Sequence, residues 1–95
     1  MRQRNRHYSD YHLTQNRVEK IKSFCVGNTE KSRQIAFKVC EEVNPIIARE
    51  LYASLTLGLS YDRLSVAYYI PISKPDFIGY QKQCIARISE VLAQD

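Results

Sequence analysis

Two short stretches decide the fold: Leu59-Ser-Tyr-Asp-Arg-Leu64 and Ile72-Ser-Lys-Pro-Asp-Phe77. Each opens with an apolar residue, continues with a serine able to cap a helix, and returns to a large apolar residue five positions on. In the first, Ser60 caps, Asp62 sits in the first turn, and Leu59 and Leu64 stand at the two ends of a hydrophobic staple. In the second, Ser73 caps, Pro75 falls in the first turn where its missing N–H costs nothing, Asp76 follows, and Ile72 and Phe77 form the staple. Both acids lie where a helix exposes its amide protons, the favourable end of the helix dipole for a negative charge. The first helix is predicted to run to about Tyr68, since Pro71 disfavours helical geometry at Ile70. The second carries Phe77, Ile78, Cys84, Ile85, Ile88, Val91 and Leu92 on one broad apolar face. A helix of about nine residues, a turn of about four (Tyr69–Ile72) and a longer helix have the spacing of a helix-turn-helix at about 59–92.

Working outward, the same punctuation recurs. Gly58 is expected to end a helix opened by Asn44-Pro45, whose Ile47, Leu51 and Leu55 recur every four residues with Ile46 and Ala48 in support. Before it, Asn28 or Thr29 caps a helix striped by Ile35, Ala36, Val39, Cys40 and Val43. Before that, Thr14 caps a helix with Val18, Ile21 and Cys25 inward, and Gly27 is expected to stop it as a left-handed residue. No stretch alternates convincingly in the manner of a strand. The expectation is an all-α fold: a small bundle of about five helices in one domain over 14–95, preceded by a basic arm over 1–13.

Net charge is +4, and its placement matters more than its size. Residues 1–33 hold eight bases and three acids, while 34–95 hold six bases and seven acids, so the excess sits in the amino-terminal third. Cys25, Cys40 and Cys84 form no Cys-x-x-Cys pair, which points to small buried apolar side chains in a reducing compartment and not to a zinc site or disulfide framework. There is no long apolar run and no signal-peptide pattern, so a soluble, cytoplasmic chain without a membrane role is expected. His7 and His12 share no helical face, no glycine-rich phosphate loop exists, and Glu41-Glu42 reads as a solvated pair. The chain is accordingly expected to be no enzyme, with no cofactor and no metal.

A helix-turn-helix presents the first turns of its second helix to base edges in the major groove. The residues placed there by spacing are Lys74, Asp76, Gly79, Tyr80 and Gln83. Lys82, Arg87 and, on the supporting helix, Arg63 lie near enough to meet phosphates. Arg2, Arg4 and Arg6 of the arm are candidates for a neighbouring minor groove. Tyr52, Tyr61, Tyr68 and Tyr69 are expected to pack at helix contacts with a wet hydroxyl, whereas Tyr80 is expected on the outer face.

Leu57-Gly-Leu-Ser-Tyr-Asp-Arg-Leu64, followed by Tyr68-Tyr-Ile-Pro-Ile-Ser73 and Phe77, resembles the carboxy-terminal half of small phage and mobile-element regulators of the ArpU and sigma-factor-like group. The resemblance covers about residues 46–92. It implies transcription regulation through sequence-specific binding of double-stranded promoter DNA, beside RNA polymerase, with a homodimer as one route to affinity. The alternative is a protein-binding module that engages a host factor such as RNA polymerase without reading DNA, through its final helix and exposed tyrosines.

Overall fold

The computed structural model describes residues 13–27 and 29–93. They form five helices and, among the described residues, no strand: α1 (Gln15–Val26), α2 (Glu30–Val43), α3 (Ala48–Leu57), α4 (Tyr61–Ala67) and α5 (Lys74–Ala93). Residues 1–12, most of the expected arm, lie outside the described residues. Leu13, assigned to the arm by its sequence, is half-buried and packs against the core.

Helix starts follow side-chain chemistry. Thr14 Oγ1 accepts from the Arg17 amide at 3.2 Å, Ser60 Oγ from Arg63 at 3.3 Å, and Ser73 Oγ from Asp76 at 3.4 Å. Each bond satisfies an amide that the helix itself leaves without a partner. At α2 the cap is reciprocal: Thr29 Oγ1 accepts from the Ser32 amide and Ser32 Oγ accepts from the Thr29 amide, both at 3.1 Å. Ser32 takes the place that Glu or Gln usually holds in a capping box, and it is buried. Thr29→Ala is expected to lower the unfolding free energy by about 1 kcal/mol, measured by urea titration.

α1, α2 and α3 end where expected, at Gly27, Asn44 and Gly58, but the handedness of Gly27 and the start of α3 depart from expectation. Gly58 is left-handed, with φ of 68°, and stops α3 as glycine there should. Gly27 is not: its φ of −58° and ψ of −15° are right-handed, and its amide is shared between the Ser23 and Phe24 carbonyls. It continues the helical winding, so nothing demands a left-handed residue. Nor do Asn44 and Pro45 open α3. Asn44 Oδ1 accepts from the Ile46 amide at 3.1 Å, closing a turn on itself, and α3 begins only at Ala48. Ile46 is therefore thrown outward, 79% exposed, while Ile47 is fully buried.

α3 and α5 each pack against all four other helices. Ile21 and Cys25 of α1, Val39 and Cys40 of α2, Leu51 and Leu55 of α3, and Leu64 of α4 close over Phe77, Cys84, Ile85 and Ile88. Fully burying a large apolar side chain contributes about 1.5–3 kcal/mol, so this cluster carries the fold against chain entropy. One polar clasp joins the first and last helices: Arg17 Nε donates to Ser89 Oγ at 2.9 Å and its Nη2 to the Ser89 carbonyl at 3.3 Å. Among the described residues, no helix is long and apolar enough to cross a membrane.

Candidate nucleic-acid interface

α3, α4 and α5 pack on one another as a three-helix unit, with α4 the short supporting piece. The connection between α4 and α5 spans Tyr68–Ser73, longer than the turn expected over Tyr69–Ile72. α4 ends early because Tyr68 is already extended, its amide bonded to the Leu64 carbonyl at 2.8 Å. Four contacts pin this corner. The Tyr61 hydroxyl donates to the Ile72 carbonyl at 3.0 Å, and its ring leans on Phe77 with centroids 5.5 Å apart. Ile70 turns into the core. Lys74 Nζ meets Asp62 Oδ2 at 2.8 Å, tying the first turn of α5 to that of α4.

The residues chosen by spacing divide on this frame. Lys74 and Arg63 are exposed, as a phosphate contact requires. Arg87 is exposed too, but it is held by Glu90 at 3.1 Å and lies 3.9 Å from Glu42, near the far end of α5. Asp76 and Lys82 are half-buried. Gly79, expected on the outer face, is buried. Tyr80, also expected outside, is half-buried against the core. Gln83 is half-buried and its Oε1 is enclosed without a hydrogen-bond partner, so the amide is not presented as a reader of base edges. The physical reason is the position of α5: it packs against all four other helices and is covered on several sides, whereas local spacing implies only one buried face. Arg2, Arg4, Arg6, His7 and His12 lie outside the described residues.

The tyrosines divide as well. Tyr52 packs edge-on to Phe37 with centroids 5.5 Å apart, and Tyr61 packs as described. Tyr68 is 44% exposed and Tyr69 88%, as is Val66 in the last turn of α4. Nothing in the spacing separates these from core residues, because in a seven-residue helix only Leu64 is buried and the other faces are undetermined by periodicity.

The three cysteines, distant in sequence, converge between α1, α2 and α5. All are free and fully buried. Burial, reinforced by neighbouring Cys40, pushes the Cys25 thiol up to about 11. A hydrogen bond with Cys40 and then burial push Cys84 up further. Such thiols are poor nucleophiles and poor metal ligands, since both roles need the thiolate. Among the described residues no group of histidines, cysteines and carboxylates is arranged to hold a metal ion. No protein-family model, no curated protein and no solved structure matches the chain.

Proposed function

We propose that the chain is a non-enzymatic, sequence-specific DNA-binding regulator that lays the α4–α5 corner on duplex DNA. The observation supporting this is the pinned corner itself: the Tyr61–Ile72 bond and the buried Ile70 fix α4 against the first turn of α5, leaving Arg63 and Lys74 exposed on adjoining helices. Phosphate contacts of this kind set register, and base reading then falls to whatever the first turns of α5 present. Transcriptional control of a phage or mobile element, in a reducing cytoplasm suited to three free thiols, is the setting we infer.

The corner is only weakly cationic, because Asp62 already neutralises Lys74. Binding to a random duplex pool is therefore expected to be salt-sensitive but modest. With Arg63 and Lys74 as two phosphate contacts, affinity should fall roughly 12-fold between roughly 50 and 200 mM salt. Asp62→Asn releases Lys74 and should tighten binding, while Lys74→Ala should reduce the salt slope by about 1. If Arg2, Arg4 and Arg6 engage DNA as well, deleting residues 1–8 will lower the slope further. No binding at low salt would sink the proposal.

The second reading is a protein-binding module for a host factor such as RNA polymerase. Val66, Tyr68 and Tyr69 favour it, because large apolar and aromatic side chains exposed together commonly mark a protein contact. Under the second reading, Val66→Ser with Tyr69→Ser abolishes capture of polymerase and the wild-type chain shows no salt-dependent binding to duplex DNA; under the first, the same pair leaves DNA affinity unchanged.

A further inference from the structure

Along α3 and the C-terminal end of α1, two shallow depressions of about 360 and 400 Å³ share Val26, the first of them also bordered by α5. Val26 is 54% exposed and Leu57 is 68% exposed, with Tyr52 and Leu59 completing an apolar floor. Two charged side chains line the depressions, Lys22 on α1 and Arg49 on α3, and both are cations. Neither has an ion-pair partner among the described residues, and no carboxylate joins them there.

We propose that this double depression docks an acidic amphipathic helix of a partner protein, its apolar stripe over Val26 and Leu57 and its carboxylates facing Lys22 and Arg49. Apolar floor with a rim of one charge sign is the pattern by which a groove accepts an amphipathic helix and selects its polar face. The two other occupants are disfavoured by the same charges. A second copy related by a two-fold axis would bring two lysines and two arginines into one patch. The chain's own residues 1–12 carry Arg2, Arg4 and Arg6 against Asp10 alone, again cation against cation. The depressions are lined by none of Arg63, Lys74 and Asp62, so failure of this proposal leaves the DNA proposal standing.

The test uses the full chain and three labelled peptides of about 16–18 residues, long enough to hold a helix. They share one leucine stripe and differ only in carrying Glu, Gln or Lys on the polar face. Fluorescence anisotropy should show the Glu peptide binding about tenfold or more tighter than the Lys peptide, with Gln between. Leu57→Asp, at an exposed position that leaves the melting temperature in place, should weaken the Glu peptide by about tenfold or more. Lys22→Glu combined with Arg49→Glu should reverse the preference. Equal binding of all three peptides, indifference to Leu57→Asp, or no saturable binding at all would overturn the proposal. So would self-association lost on Leu57→Asp, which would assign the patch to a second copy.

Discussion

Phe77→Ala is expected to lower the unfolding free energy by about 3–5 kcal/mol, the range for truncating a buried aromatic ring. Phe77 is fully buried and is the largest of the completely enclosed side chains. Its ring also supports Tyr61, whose hydroxyl closes the α4–α5 corner on the Ile72 carbonyl. A domain of this length has a total stability of about 5–14 kcal/mol, so the substitution removes a large share of it. Urea titration at fixed temperature measures the loss, and Phe77→Leu should recover a substantial part by refilling volume. A loss below about 1 kcal/mol would mean that the corner is not anchored by this ring.

The thiols give the second large effect, in rate. A small disulfide reagent at neutral pH should modify the native chain about a thousandfold or more slowly than the chain in denaturant, because each cysteine becomes reachable only through unfolding. Reaction of one cysteine at the denatured rate would refute the enclosed cluster. The pH dependence follows in sign. The folded pKa of Cys25 is raised from 9.0 to about 11, so the native state keeps a proton that the unfolded state has lost. The stability this contributes is complete below about 9 and is lost as pH rises towards about 11. Replacing Cys25 with Ala should flatten that alkaline decline, at the cost of a small cavity.

The two effects touch different kinds of information in the chain. Thr14, Thr29, Ser60 and Ser73 announce helix starts because a hydroxyl bonds an amide three residues away, a distance the sequence itself supplies. The staple partners Leu64 and Phe77 are legible for the same reason, and both are buried. Of the site, Lys74 and Arg63 were legible as exposed bases on successive helices. Gly79, Tyr80 and Gln83 were misplaced, and the exposure of Val66, Tyr68 and Tyr69 went unread. Their surroundings depend on which other helices pack against α4 and α5, which no local spacing encodes.

The helix-turn-helix pattern of residues 59–77 is thus a matter of local chemistry: two capped starts, a proline that keeps Ile70 out of a helix, and a left-handed glycine before them. The sequence alone determined that these are two helices joined at a corner and that α1 begins after Thr14; for α2 it left Asn28 and Thr29 open, and the reciprocal bonds of Thr29 with Ser32 chose between them. Only tertiary structure decided that α5 packs against all four other helices, that Gly27 stays right-handed, and that Asn44 closes its own turn and turns Ile46 outward. It also decided that three scattered cysteines share one pocket of the core. The physical reason is reach. Caps, staples and turns act within about five residues, whereas the side of a helix that meets water is settled by which other helices cover it.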